Sequence, residues 1–170
     1  MKLRTITLDK LQTGDVLCFE KNSGISRANQ IITRSHIGHT GIYINNGEKL
    51  VYESLSNGFH PRPIQESIDK HTVSVYIQRP LFNFSSNELE RECKKKIGTK
   101  YYFMGLFYQL KHNVWGGWDG TQDLSHGAIC SSIVNCIFNI LTERFLTWYK
   151  DTPADIWENR VDFESFELLL

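Results

Sequence analysis

The sequence lacks an excess of charge of either sign, and it lacks any long apolar run. Its 170 residues carry 19 Lys and Arg against 19 Asp and Glu, so the formal net charge is zero. A neutral chain gives no bulk electrostatic reason to expect binding to nucleic acid or anionic lipid. No apolar stretch reaches the roughly 18 residues that span a membrane. We therefore expect no nucleic-acid partner and no transmembrane segment.

The N-terminal residues also lack a signal peptide, because no apolar stretch and no small-residue cleavage site follow the basic start. The sequence as it stands predicts a cytoplasmic location, although removal of a leader would change that expectation.

Paired CxxC spacing is absent as well, which disfavours a zinc site or a thioredoxin-like motif. Without a secretion signal, free thiols are favoured over disulfides. A metal site that combines His36, His39 and Cys130 is disfavoured because residues three apart point to opposite faces of a strand. We expect no metal and no cofactor. The cysteines are Cys18, Cys93, Cys130 and Cys136.

An apolar share of 41% and an aromatic share of 12% are enough to form a core. The sequence shows no repeat and no long linker, which predicts a single domain over residues 1–170. The hydrophobic periodicity predicts strands at 16–19, 39–44, 48–53 and 72–77, and helices at 26–33, 86–97, 129–141 and 152–157. Pro61 and Pro63 predict an irregular link between the last two strands.

The strands at 39–44 and 48–53 form a predicted hairpin, and its register determines which side chains meet. A three-residue loop at 45–47, with Gly47 in the left-handed region, keeps the aliphatic residues of both strands on one face. This register pairs His39 with Glu53 on the opposite face. The carboxylate could orient the imidazole for catalysis. The alternative is a surface cross-strand pair without a catalytic role.

Cys130 stands where a polar loop becomes an apolar helix. Free amides and the positive end of the helix dipole lower the pKa of a thiol at that position from about 8.5. The same amides could bind the oxyanion of an acyl intermediate. The alternative is a small buried hydrophobe, which is the expected role of the other cysteines. Cys136 lies about 240° around the same helix and points away.

Several segments in this order resemble the permuted papain-like proteins, the YiiX-like and lecithin:retinol-acyltransferase-like branches of the NlpC-type peptidase superfamily. The similar segments cover most of residues 11–157. They are Gly14-Asp15-Val16-Leu17-Cys18-Phe19, Ile31-Ile32-Thr33-Arg34-Ser35, Gly38-His39-Thr40-Gly41-Ile42-Tyr43, Val51-Tyr52-Glu53, Gly98-Thr99-Lys100-Tyr101-Tyr102-Phe103-Met104-Gly105-Leu106, Ile129-Cys130-Ser131-Ser132-Ile133-Val134 and Thr152-Pro153-Ala154-Asp155-Ile156.

The resemblance implies an α+β, circularly permuted papain-like fold, with a small antiparallel sheet or barrel packed on helices. It implies that Cys130 is the nucleophile, His39 the base and Glu53 the third polar group. Two departures stand out. Gly38 precedes His39 where the family often has Ser, so that His36, after Ser35, is the reserve candidate for the base. Ser132 stands where the family often has Glu.

The predicted function is therefore cysteine-dependent hydrolysis of an amide, such as a cell-wall peptide or a related acyl amide, through an acyl-enzyme on Cys130. A lipid-directed acyltransferase or thioesterase is the first alternative, because the aromatic segment 101–118 could line an acyl groove. A non-catalytic binding module on the same fold is the second.

Overall fold

The computed structural model describes residues 3–69, 71–102, 129–142, 152–158 and 161–170. Its main feature is a seven-stranded sheet with the strand order β1-β7-β6-β2-β3-β4-β5. All neighbouring strands are antiparallel except β1 and β7, which are parallel. The strands are β1 (Arg4–Ile6), β2 (Val16–Lys21), β3 (His39–Asn45), β4 (Lys49–Leu55), β5 (Gly58–Pro63), β6 (Thr72–Pro80) and β7 (Phe163–Leu168).

The described helices are α1 (Gly24–Thr33), α2 (Ile64–Ser67), α3 (Ser86–Lys95), α4 (Cys130–Thr142) and α5 (Pro153–Glu158), with a short 3-10 turn at Leu8–Lys10. Two of these helices begin at a capping side chain. Ser85 Oγ accepts the Glu88 N–H at 3.4 Å before α3, and Thr152 Oγ1 accepts the Asp155 N–H at 3.2 Å before α5. The mixed α+β class is confirmed. The single-domain prediction stays a prediction.

Both faces of the sheet carry apolar clusters, so the sheet is not covered on one side only. On one face, Ile42, Ile44 and Tyr52 pack with α3 and α4. On the other face, Tyr43 and Val51 pack with residues of β2, β6 and β7. The predicted sharing of one face by the aliphatic residues of β3 and β4 is therefore confirmed. None of the described helices is long and apolar enough to span a membrane.

The predicted pairing inside the β3–β4 hairpin is wrong by two positions. Glu53 pairs with Gly41 rather than with His39, and Ile42 pairs with Tyr52. Asn45 and Lys49 form the last pair of the hairpin, so the turn covers residues 46–48 and lies one residue later than predicted. A shift of two keeps every side chain on its predicted face. His39 and Glu53 therefore become diagonal neighbours rather than direct partners.

Other boundaries differ for local reasons. The link at Pro61 and Pro63 is strand β5, because an edge strand tolerates residues that cannot donate to the ladder. Helix α1 begins two residues earlier than predicted, at Gly24, with Ser23 as its N-cap. The predicted strand at Thr72 is present in the same sheet, where it pairs with β2 and β7. Strands β1 and β7 were not predicted, because neither terminal segment shows clear alternation. Most of the aromatic segment, 103–118, lies outside the described residues.

Candidate functional site

The approach of α1 to the start of β3 requires a glycine before His39. A Cβ atom on Gly38 would come within 2.4 Å of the Ser26 carbonyl oxygen. The Gly38 N–H donates to Phe19 O at 3.1 Å, and Gly38 O accepts from Asn29 Nδ2 at 3.1 Å. The close packing against α1 therefore explains why glycine rather than serine precedes His39. The two backbone hydrogen bonds of Gly38 hold the start of β3, and with it His39, in place.

His39 Nε2 lies 2.6 Å from Glu53 Oε2, and both side chains are buried. Diagonal neighbours on adjacent strands are within reach of long side chains. The residue opposite Glu53 is Gly41, where a Cβ would lie 2.6 Å from Val51 Cγ1 and 3.3 Å from Glu53 Cβ. Because glycine leaves this position empty, the imidazole and the carboxylate can meet across it.

The second oxygen of Glu53 is also bonded. Ser67 Oγ, at the end of α2, donates to Oε1 at 2.8 Å, and Arg62 Nη1 lies 3.5 Å from the same atom. Burial acts to raise the pKa of Glu53, but the contacts with His39 and Ser67 and the charge of Lys21 lower it below its ordinary value. The carboxylate is therefore held ionised beside the imidazole.

Cys130 is the first residue of α4 and is only 1% exposed. Its thiol lies close enough to His39 for each group to shift the pKa of the other. Because Nε2 of the ring faces Glu53, Nδ1 is the nitrogen available to the sulfur. Ser132 stabilises the helix start, since its Oγ accepts the Ile129 N–H at 3.1 Å and donates to Ile129 O at 3.0 Å. Serine thus fills the capping position where the family often has Glu.

The charged forms of Cys130 and His39 stabilise each other. Burial acts to raise the pKa of Cys130, yet His39 and the backbone N–H and hydroxyl of Thr40 lower it. Burial acts to lower the pKa of His39, yet Cys130 and Glu53 raise it from 6.5 to about 9. The Thr40 hydroxyl is fully buried near the sulfur, where it helps to lower the Cys130 pKa, but it makes no hydrogen bond of standard geometry with the described residues. A thiolate–imidazolium pair is the arrangement these shifts favour.

His39 lines an open cleft of about 720 Å³. Asn29 and Tyr101 line the same cleft. Burial, and then the charge of Cys130, raise the pKa of Tyr101, so its hydroxyl keeps its proton. Asn29 Oδ1 is buried and has no hydrogen-bond partner in the part of the chain that the structure describes. The cleft therefore has His39 in its wall, together with polar groups able to contact a ligand.

The structure brings Cys130, His39 and Glu53 together. The reserve candidate His36 packs edge-on against Tyr76 and Trp157, with ring centroids 5.1 and 5.8 Å away. Of the other three cysteines, Cys18 and Cys93 are buried, and Cys136 is half-buried.

Sequence reasoning missed the supporting residues Asn29, Thr40, Arg62 and Ser67. Thr40 stands next to His39, but its role depends on where α4 begins in space. Arg62 lies in β5, a strand that the sequence did not predict, and Ser67 lies in the short helix directly after it. Tyr101 lies in a segment that resembles the family, which was a usable signal.

Within the described ranges, no three or more His, Cys, Asp or Glu side chains form a group that could hold a metal ion.

No protein-family model matches the chain, and no curated protein matches it. Among solved structures, the fold matches the crystal structure of metalloprotein yiiX from Escherichia coli O157:H7, DUF1105. The TM-score is 0.56 and the identity 19%, and the match covers 91% of this chain and 95% of that chain. The likeness extends over nearly the whole of both chains, and it confirms the YiiX-like fold that the sequence segments predicted.

Proposed function

We propose that this chain, which has the YiiX-like fold, is a cysteine-dependent hydrolase with Cys130 as nucleophile, His39 as base and Glu53 as the group that orients His39. The observation that supports the proposal most is the 2.6 Å contact of His39 with Glu53 beside an open cleft, with Cys130 near enough to His39 for its pKa to be lowered by the ring. A nucleophile, a base and an orienting third group within hydrogen-bond reach are the signature of covalent catalysis.

The reaction would proceed by acyl transfer. The Cys130 thiolate attacks the carbonyl carbon, and a carbon–sulfur bond forms. Backbone amides at the start of α4, which have no acceptor within the helix, would stabilise the oxyanion. His39 gives its proton to the leaving amine as the carbon–nitrogen bond breaks. His39 then takes a proton from water, which attacks the thioester and releases the acid and the thiolate.

Asn29 favours an amide over an ester as the substrate. Its Oδ1 is an acceptor at the cleft wall for which the described residues supply no hydrogen-bond donor. A buried acceptor costs free energy unless a donor reaches it. An amide or peptide carries N–H donors, whereas a simple ester does not. A cell-wall peptide or a related acyl amide remains the narrower proposal that comes with the resemblance.

The alternatives predict different behaviour. A lipid-directed acyltransferase or thioesterase would need an apolar groove, yet Lys21, Arg62 and Asp69 line the described part of the cleft. A non-catalytic binding module would bind an acyl compound without turnover. The fold neighbour is called a metalloprotein. Since the described residues of this chain form no metal-binding group, no step above passes through a metal. A cytoplasmic location stays part of the proposal.

The test is detection of an acyl-enzyme. The protein would be mixed with N-acetyl amino-acid p-nitroanilides and with p-nitrophenyl esters of short and long acids, quenched in acid and mapped by mass spectrometry. We expect the acyl group on Cys130 and a fall in turnover of more than about a thousandfold in Cys130→Ala. Cys93→Ala, which removes another buried thiol, is the matched control and should retain turnover.

Three outcomes would contradict the proposal. Acylation of another residue, or turnover that survives in Cys130→Ala, would remove Cys130 as the nucleophile. Preference for long-chain esters with transfer to a lipid acceptor would favour the acyltransferase. Acyl-compound binding without any turnover would favour the binding module.

A further inference from the structure

The cleft wall beyond Glu53 carries basic side chains on the same face as the proposed site. Strand β5 pairs with β4 so that His60 lies opposite Glu53 and Arg62 lies opposite Val51. Paired residues on neighbouring strands share a face. His60 and Arg62 therefore flank the Glu53 carboxylate, and both line the cleft.

Lys21 and Arg62 are the permanent cations in the described part of the cleft lining. The charge of Lys21 is already compensated. Its Nζ donates to Ser67 O at 2.7 Å and to Asp69 Oδ2 at 3.2 Å, and it lies 5.0 Å from the centre of the Phe19 ring. Lys21 is also buried. An incoming anion would have to displace Asp69 to reach it, so Lys21 is a poor ligand-binding group.

Arg62 differs from Lys21 because its ion pairs are long. Nη1 lies 3.5 Å from Glu53 Oε1, and Nε lies 3.5 Å from Glu66 Oε2. Charge-assisted hydrogen bonds are typically about 2.7–2.9 Å. The Glu53 oxygens are already bonded to His39 and Ser67 at shorter distances. Glu66 is 60% exposed and can move away.

The guanidinium of Arg62 thus keeps donors for a ligand. It carries five N–H groups in a planar fork that matches a carboxylate. Its side chain is 27% exposed and faces the cleft. The Glu53 carboxylate contacts both Arg62 and His39.

We propose that Arg62 forms a carboxylate-binding subsite, so that the preferred acyl substrates carry a carboxylate a short distance from the scissile carbonyl. The inference rests on the proposed function and adds a substrate class to it, acidic peptides and acidic acyl amides. An Arg–carboxylate contact of this kind raises the rate for an acidic substrate by about tenfold over a neutral one.

Matched alkylating probes test the subsite without knowledge of the natural substrate. They are N-iodoacetylglycine and N-iodoacetyl-γ-aminobutyrate, each compared with its neutral primary amide. The readout is the ratio of the Cys130 alkylation rates for the acid and the amide, located by peptide mapping. In the wild-type protein we expect the acid to react about tenfold faster for at least one spacer. The ratio should fall in about 1 M salt, which screens exposed charge.

Arg62→Gln should reduce the acid-to-amide ratio to near the value for a small free thiol. The attraction between the charged His39 ring and the acid remains in this variant. A change at Glu53 that follows the loss of Arg62 alters the alkylation rates of the acid and the amide together. The ratio of these two rates therefore isolates the contribution of Arg62. Arg27→Gln is the matched control, since Arg27 on α1 is outside the cleft lining and contacts Asn22. It should leave both rates unchanged.

A ratio that is the same in Arg62→Gln and in the wild type would overturn the subsite. An unchanged wild-type ratio in high salt would also overturn it, and this measurement does not depend on how any variant folds. If the neutral amide does not modify Cys130 in preference to Cys93, the proposed function fails instead, whatever the ratio is.

Discussion

Two buried cysteines on two helices of the same sheet face have opposite acidities. Cys93 lies in α3, near its C-terminal end, and Cys130 is the first residue of α4. Burial raises the pKa of Cys93 to about 12, and the charges of Glu90 and Glu92 add to this effect. Burial acts in the same direction on Cys130, but His39 and Thr40 outweigh it and lower the pKa. Burial is therefore common to both thiols, and the neighbouring groups set the sign of the shift.

The comparison also separates packing from reactivity. Both cysteines contribute to buried surface. Cys93 faces carboxylates on its own helix, whereas Cys130 faces a protonatable ring held by another strand. A thiol at a helix start also has the positive end of the helix dipole beside it, and a thiol at a helix end has the negative end.

The largest expected effect is a difference in alkylation rate between the two thiols. A pKa of about 12 leaves roughly one Cys93 in a hundred thousand as thiolate at pH 7. We expect iodoacetamide to modify Cys130 at least about a thousandfold faster than Cys93 at that pH. As the pH is increased, the Cys130 rate should already rise below about pH 8. Peptide mapping across pH measures both rates in one sample. Equal rates would mean that the opposite shifts do not exist in solution.

The next effect is the loss of the contrast in His39→Ala. Without the imidazolium, burial dominates at Cys130 and its pKa rises, as it does at Cys93. We expect alkylation of Cys130 at pH 7 to slow by about 10- to 100-fold, which corresponds to one or two pKa units. His36→Ala is the control, because His36 contacts Tyr76 and Trp157 instead. If His36→Ala slows the reaction and His39→Ala does not, the reserve candidate is the base.

A smaller effect concerns the alkaline limit of activity. The His39 pKa, raised to about 9, keeps the ring protonated below that pH, so kcat/KM should fall as the pH rises through about 9. Glu53→Gln removes one of the charges that raise this pKa, and the limit should move to lower pH. Glu92→Gln, which changes a carboxylate beside Cys93 instead, should not move it. An unchanged limit in Glu53→Gln would separate Glu53 from His39 in function.

The smallest effect is expected at Thr40. Thr40→Val keeps the shape and the backbone N–H but removes the hydroxyl beside the sulfur. We expect the Cys130 pKa to rise by less than about one unit, with a matching several-fold slower alkylation near neutral pH. Thr40→Ser should restore the wild-type rate. If valine and threonine give the same pH profile, the hydroxyl does not contribute to the acidity of Cys130.

The order of the elements was largely predictable from local signals. The helix at Ser86 has a serine cap, and Pro153 occupies the first turn of its helix, as the sequence indicated. The shared face of Ile42, Ile44 and Tyr52 followed from alternation, which survives a shift of two residues. The residue pairs of the β3–β4 hairpin were not predictable. The turn can lie one residue earlier or later in the chain, and every apolar side chain then stays on the same face of the sheet.

The sequence by itself determined the chemistry that is available: a cysteine at a helix start, a histidine at a strand start and a glutamate on the same sheet face. Side-chain period and helix capping are local properties, so they can be read from neighbouring residues. Only the tertiary structure decided what surrounds them. Ser67 bonds Glu53, Thr40 lies beside Cys130, and Arg62 faces the cleft with long ion pairs. These contacts join residues of different elements, and their distances depend on how those elements pack.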